Sequence, residues 1–430
     1  MDKIKVIGGN VLDGVIHISG AKNAALPLVC ASLLTDKEVI LKNVPQLSDI
    51  TFLNSLLEYM GLKVEKKEEE YKGMLSNTFI YKGDEIKELV APYDFVRKMR
   101  ASYYVLGPLL TRFKHVEFSL PGGCAIGARP IDIHLTSLEQ MGAKIEIKNG
   151  YVVADAPDGL KGAHIIFSKA SVGATCNILM AATLAKGVTK IENAAKEPEI
   201  TDLIDLLNKM GAKIEGRGTS ILTIEGVNSL YGAVHSVVAD RIEAGSYAIA
   251  AAITKGRIEL VNAIPDHLQQ PLRILEKMGV GVEITKDSII IDGRNRTITG
   301  ADIYTDYYPG FPTDLQAQFM ALMTVAEGAS LVTESIWENR FMHVPELCRM
   351  GANINIHGRA SAIVRGVKKL SGAPVMATDL RASFALILAG LIAEGETIVN
   401  RVYHLDRGYE KLEEKLKAVG ANIVRIKETD

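Results

Sequence analysis

No stretch of this chain is apolar for long enough to cross a bilayer. The longest apolar run, around Phe384 to Ala393, falls far short of the roughly 20 residues that a spanning helix needs. The opening Met1-Asp2-Lys3-Ile4-Lys5 lacks the pattern of a signal peptide. Both absences predict a soluble, cytoplasmic protein with no membrane partner. Cysteine is scarce. The four residues, at 30, 124, 176 and 348, form no CxxC pair, which argues against a disulfide framework or a structural zinc site. A surplus of either charge is also missing. Lys plus Arg is 49 and Asp plus Glu is 51, so nucleic acid is not expected as the main partner. Nine histidines are scattered without metal-ligand spacing. The phosphate, dinucleotide, zinc-protease and hydrolase signatures GxxxxGK(S/T), GxGxxG, HExxH and GxSxG do not occur.

What is present is one unit written six times, in a chain of 430 residues that can hold two or three domains. An amphipathic segment ends in glycine at Gly61, Gly142, Gly211, Gly279, Gly351 and Gly420. Leu138-Glu-Gln-Met-Gly142-Ala-Lys-Ile-Glu and Leu207-Asn-Lys-Met-Gly211-Ala-Lys-Ile-Glu show how close the copies are. The glycines lie 81, 69, 68, 72 and 69 residues apart. Each copy reads as a helix, a glycine stop and a strand. The period exceeds that of common solenoids, so each unit is a small α/β fold.

A second helix precedes each of these. The six are predicted over 22–34, 97–110, 171–185, 241–254, 314–326 and 379–393. They are rich in Ala and Leu and apolar on nearly every face, which marks buried helices. Six units split into two domains of three, with the break between Gly211 and Arg241. The charged stretch Lys63 to Tyr81 carries no usable motif.

The polar starts of the buried helices carry Lys22 and Asn23, Arg97 and Arg100, Lys169 and Ser171, Asp240 and Arg241, Asp314, and Asp379 and Arg381. Helix capping accounts for Asp240, Asp314 and Asp379. It does not account for Lys22, Arg97 or Arg100, because a cation at a helix N-terminus is unfavourable and an anionic ligand would resolve the conflict. Arg340 and Arg407 are further anion candidates, and a solvated or paired role is equally open to them. His404 lies near these residues and is read as structural. The loop Ser119-Leu-Pro-Gly-Gly-Cys124-Ala-Ile-Gly-Ala-Arg129-Pro-Ile-Asp-Ile133 is rich in hinge residues. A nearby cation makes a thiol more reactive. Cys124 is thus either a reactive thiol beside Arg129 or a small core residue.

Several of these stretches resemble the motifs of the UDP-N-acetylglucosamine 1-carboxyvinyltransferases, a family of enolpyruvyl transferases. They are Gly20-Ala-Lys22-Asn23, Pro121-Gly-Gly-Cys124-Ala-Ile-Gly-Ala-Arg129-Pro, Ser171-Val-Gly-Ala, Phe311-Pro-Thr-Asp314, Glu338-Asn-Arg340-Phe, Ala377-Thr-Asp379-Leu-Arg381 and Asp406-Arg407-Gly-Tyr409. The resemblance covers essentially the whole chain. It implies an α/β fold of two inside-out, barrel-like domains, each of three repeats around buried central helices. One would span 22–238 with the loop 119–133. The other would join 1–21 to 239–430, the first strand crossing over, with the active-site cleft between them.

The reaction implied is transfer of the enolpyruvyl group of phosphoenolpyruvate to the 3-hydroxyl of UDP-N-acetylglucosamine, releasing phosphate, in the first committed step of peptidoglycan synthesis. Cys124 would be the general acid and could form a covalent adduct. Asp314 would accept the hydroxyl proton. Lys22, Arg129 and Arg407 would hold phosphoenolpyruvate, with Arg340 and Asp379 close by and Asn23 positioning it. Arg100, Arg129, Pro130, Ile131, Asp132, Ile133, Lys169, Ser171, Val172, Gly173, Asp314 and Ile336 would line the nucleotide-sugar site. No metal, organic cofactor or obligate protein partner is implied. Three alternatives stand beside this: a 5-enolpyruvylshikimate-3-phosphate synthase, which lacks the cysteine loop; a cysteine hydrolase, for which no histidine base stands out; and a non-catalytic nucleotide-sugar sensor.

Overall fold

The computed structural model describes residues 2–120 and 131–427. The described chain divides into two compact units, one made of residues 2–19 and 239–427, the other of residues 20–120 and 131–238.

The six repeated glycines have a common physical cause. All six adopt left-handed backbone, with φ between 93° and 101°. A left-handed residue ends a helix by letting the next N–H reach back to a carbonyl one turn earlier. In the six copies that N–H donates to the carbonyl of Leu57, Leu138, Leu207, Leu275, Leu347 or Leu416, at 2.9–3.1 Å. Each of these leucines is buried in the core. The recurring leucine therefore both packs and receives the closing hydrogen bond, and the chain leaves it as a strand.

Six four-stranded sheets result, and they share one topology. In the sheet of the third repeat, the short edge strand His164–Ile166 runs parallel to Val188–Glu192. The buried helix Val172–Ala182 connects them. After the amphipathic helix Pro198–Lys209, strands Lys213–Glu215 and Ile221–Glu225 return as an antiparallel hairpin. Burial alternates along Val188–Glu192 because one face packs inward. The motif-free stretch Lys63 to Tyr81 falls within the corresponding hairpin of the first repeat, Lys63–Tyr71 with Met74–Lys82.

The ends of the chain complete two sheets of the 239–427 unit. Lys3–Ile7 fits between Glu396–Asn400 and Asn422–Ile426, with Ile4 opposite Val399 and Val6 opposite Ile423. Asp13–His17 runs parallel to Arg257–Val261. In the other unit the edge strand of the first sheet comes from Ala233–Ser236, the last strand before the crossing. The first sheet of the 20–238 unit thus takes its edge strand from the far end of that unit, whereas Lys3–Ile7 fills an interior position in its sheet.

The buried helices lie inside the sheets. Gln316–Met323 is buried at every residue and Arg241–Ile253 at every residue but the first. These two and Leu380–Ile392 touch one another. One expectation fails: no continuous helix runs over 97–110. Tyr93–Val96 is a short helix, Met99 is extended, Arg100–Val105 is a 3₁₀ turn, and the α-helix proper is Leu106–Phe113. Pro108 supplies the reason. Its ring would clash with the carbonyl of residue 104 in a regular α-helix, so α geometry starts only just before it.

Candidate active site

In the 20–238 unit the cationic helix starts fare differently from one another. Lys22 is the first residue of Lys22–Ala31, where Ala21 offers no side-chain cap. Its ammonium is buried and lies 3.3 Å from Oδ2 of Asp49, in the first turn of Ser48–Tyr59. The anion that the sequence left missing is thus supplied at least in part by the protein. Asn23 follows, half-buried, and Pro27 removes the N–H that its carbonyl would otherwise receive. Arg97 is not a helix-start cation. It closes the short Tyr93–Val96 helix, pairs with Asp94 at 3.1 Å and lies over the Tyr93 ring.

Arg100 opens its 3₁₀ turn and sits close enough to His134 for its charge to matter there. His134 was missed by the sequence reading, being a lone histidine on an amphipathic helix. It is buried, its Nδ1 accepts from the Asn177 amide at 2.9 Å, and its ring meets Tyr103 edge-on at 4.9 Å. Burial and then the Arg100 charge push its pKa down to about 3.

Ser171 caps Val172–Ala182, its hydroxyl accepting from the N–H of Ala174. A side chain at Gly173 would come within 2.6 Å of the Tyr103 hydroxyl, so this turn approaches the Tyr103–His134 pair as only glycine can. Val172 is half-buried and Lys169 exposed. Ile131 and Ile133 are buried and Asp132 is exposed at the start of Asp132–Gln140. Their side chains are engaged in packing, so what they can offer a ligand is backbone and the Asp132 carboxylate. Cys124, Arg129 and Pro130, with the rest of 121–130, lie outside the described residues.

In the 239–427 unit the aspartates separate into two kinds. Asp240 caps Arg241–Ile253, accepting from the N–H groups of Ile242 and Glu243 at 2.8 and 3.0 Å. Asp379 caps Leu380–Ile392 in the same way, at 2.9 and 3.1 Å from Arg381 and Ala382. Asp314 does not cap, which corrects the sequence reading. It sits inside the 3₁₀ turn Thr313–Leu315, and the next helix, Gln316–Met323, has no side-chain cap. Its carboxylate is held by Arg340 at 2.8 Å on Oδ1 and by Arg381 at 3.2 Å on Oδ2.

Both guanidinium groups are nearly buried, while the Asp314 side chain keeps 27% of its exposure. Burial works against the charge of Arg381, but Asp314 and the Tyr409 hydroxyl hold it firmly protonated. The Tyr409 ring lies 5.5 Å beneath that guanidinium. Below it the Tyr409 hydroxyl meets Ser246 at 3.0 Å and the Gln318 amide at 3.1 Å. His343 is buried, close enough to Asp379 and Arg340 for their charges to act on it. Burial brings its pKa down to about 4.

Arg407 ends the turn Val402–Arg407, half-buried. Burial and then the Arg407 charge hold the His404 imidazole below its usual range. Ile336 is half-buried on the turn that leads to Arg340. Two guanidinium groups against one partly open carboxylate leave a single positive charge beside a proton acceptor. That combination can hold a carboxylate or phosphate and take a proton from a neighbouring hydroxyl. Among the described residues no three His, Cys, Asp or Glu side chains are gathered to hold a metal, and no helix is long and apolar enough to cross a membrane.

This fold is that of an enolpyruvyl transferase. The family model described as EPSP synthase (3-phosphoshikimate 1-carboxyvinyltransferase) matches residues 6–416, and the chain belongs to that family. The relatives narrow the class. The UDP-N-acetylglucosamine 1-carboxyvinyltransferase of Paramagnetospirillum magneticum is 58% identical over 429 residues, 100% of this chain and 99% of that one. That of Granulibacter bethesdensis is 59% identical over 426 residues, 99% of this chain and 100% of that one. Among solved structures, the enolpyruvyl transferase NikO from Streptomyces tendae covers 100% of this chain and 99% of its own, with TM-score 0.85 at 23% identity. EPSP synthase from Acinetobacter baumannii covers 99% and 100%, with TM-score 0.74 at 19% identity. These two share the fold.

Proposed function

We propose that this chain transfers the enolpyruvyl group of phosphoenolpyruvate to the 3-hydroxyl of UDP-N-acetylglucosamine, releasing phosphate, as the first committed step of peptidoglycan synthesis. The observation that carries this is full-length identity of 58–59% to proteins named for that reaction, against 19% to a solved EPSP synthase.

In the mechanism, the sugar hydroxyl loses its proton to Asp314 as its oxygen bonds to C2 of phosphoenolpyruvate. Cys124 delivers a proton to C3 and can alternatively bond C2 through sulfur. Loss of a C3 proton and breakage of the C2–O bond to phosphate then restore the double bond. Lys22, Arg129 and Arg407 hold the anionic groups, and Arg340 with Asp379 stands close by. Bidentate guanidinium contacts suit those groups and the charged tetrahedral intermediate. Asn23 positions phosphoenolpyruvate. Arg100, residues 129–133, Lys169, Ser171, Val172, Gly173 and Ile336 line the nucleotide-sugar site. The protein works in the cytoplasm.

The test is phosphate release from phosphoenolpyruvate with UDP-N-acetylglucosamine or shikimate 3-phosphate as acceptor. Turnover with the first alone is expected. Turnover with shikimate 3-phosphate would move the assignment to the alternative, and none with either would remove transfer altogether. Alkylation of Cys124 by the epoxide fosfomycin, mapped by mass spectrometry, tests the thiol. Cys30 and Cys176 are buried with thiol pKa values pushed up, chiefly by burial, and are expected to stay unmodified.

A further inference from the structure

Glu334 has no part in the mechanism above, yet it is buried to 3% exposure in the 239–427 unit. Its carboxylate gathers three separate pieces of chain. Oε1 accepts the backbone N–H groups of Ile336 and Trp337 at 2.9 and 3.1 Å, and the Thr305 hydroxyl at 3.0 Å. Oε2 accepts the Thr313 hydroxyl at 2.9 Å. The Glu334 N–H is itself anchored on the Ala360 carbonyl at 2.7 Å.

Two of these pieces lead straight to Asp314. Thr313 precedes it in the same 3₁₀ turn. Ile336 and Trp337 start the turn that ends at Arg340, whose guanidinium lies 2.8 Å from Asp314 Oδ1. Both sides of the Asp314–Arg340 pair are therefore tied to one carboxylate. Every hydrogen-bond donor to that carboxylate is a neutral N–H or O–H. Burying a carboxylate is costly, and an apolar side chain would fill the space at lower cost, so its presence needs a reason beyond packing. Directional hydrogen bonds to two catalytic segments are such a reason. A base must lie within hydrogen-bond reach of its proton, and a displacement of about 1 Å can cost roughly 10²-fold in rate.

We infer that Glu334 is a positioning residue for the transfer reaction. It sets Asp314 through Thr313, and Ile336 and Arg340 through the turn that follows it. This rests on the reading of Asp314 as the base.

The experiment isolates one arm. Thr313→Val keeps the side-chain volume and deletes only the hydroxyl on Oε2, leaving the Oε1 bonds in place. Phosphate release by the purified protein is then measured with phosphoenolpyruvate and UDP-N-acetylglucosamine. Thr313→Val is expected to lower kcat roughly 10-fold, with KM for the sugar nucleotide unchanged within about 2-fold, because the base is displaced while binding groups stay. Thr313→Ser restores the hydroxyl and is expected to return most of kcat. Glu334→Gln keeps an oxygen for Ile336 and Trp337 but cannot accept from Thr313 on its nitrogen. Its kcat is expected to fall with Thr313→Val and to show no further loss when the two are combined. Native kcat in Thr313→Val would overturn the inference. So would a serine variant as poor as valine, or losses that track only the folded fraction in thermal melts. An inactive wild-type protein would instead overturn the functional reading itself, and this inference with it.

Discussion

The two halves of this chain differ in the polar residues ahead of their buried helices. In the 20–238 unit these include the cations Lys22, Arg100 and Lys169 and no aspartate; in the 239–427 unit each carries an aspartate, Asp240, Asp314 or Asp379, two of them followed by Arg241 and Arg381. An aspartate at such a start has an ordinary task, and Asp240 and Asp379 perform it as caps. A lysine or arginine has none there, since it cannot accept the unpaired N–H groups and is repelled by the helix dipole. The cations, and the one aspartate that declines to cap, are therefore the residues to associate with chemistry. Two of them are compensated within the protein, Lys22 by Asp49 and Asp314 by two arginines.

The sharpest way to break that division is at Asp314. Asp314→Asn is expected to lower turnover by roughly 10²-fold or more, the scale for loss of a general base, with much less weakening of sugar-nucleotide binding. Asp240→Asn in the same assay should stay near native. Equal behaviour of the two variants in phosphate release would erase the distinction.

Lys22 comes next. Lys22→Ala is expected to abolish most activity and also to destabilise, by up to about 3 kcal/mol, because it leaves the buried Asp49 carboxylate without its lysine. Adding Asp49→Asn neutralises that carboxylate and should recover much of the stability but none of the activity. Recovery of both together, in parallel melts and assays, would make Lys22 a structural residue.

A pH titration sharpens the comparison with one histidine from each unit. His343 and His134 have folded pKa values of about 4 and about 3, below the ordinary 6.5 because both are buried. Between these values and 6.5 the unfolded chain binds more protons than the folded one. Their stabilising contribution is thus complete above pH 6.5 and is lost as pH falls through that window. The slope is about 1.4 kcal/mol per pH unit for each histidine at most. Denaturant melts from pH 4.5 to 7 should show this, and His343→Asn should flatten it. A variant with an unaltered slope would remove His343 as the cause.

The smallest effect belongs to the cap. Asp240→Ala is expected to cost about 1 kcal/mol, a fall of a few degrees in Tm. A loss several times larger would mean that Asp240 does more than cap.

The sequence by itself determined the repeated architecture. A glycine stop, a leucine one turn before it and an all-apolar helix are local rules. They act through backbone angles and burial that depend only on neighbours a few residues away, so six copies were readable without any fold. The same locality made Asp240 and Asp379 recognisable as caps. One local signal was passed over: Pro108 breaks the helix expected from Arg97, which pairs with Asp94 three residues before it. Locality failed where a distant residue decides the outcome. Asp314 looked like a cap because the two arginines on it come from 26 and 67 residues further on. Nothing in the neighbourhood of Lys22 announces Asp49, nor does anything around His134 announce Tyr103 and Asn177. Only tertiary structure settled which sheets the first seventeen residues complete, since Lys3–Ile7 finds its partners almost four hundred residues away. Charge pairing and sheet completion are satisfied through space, and their partners leave no trace in local sequence.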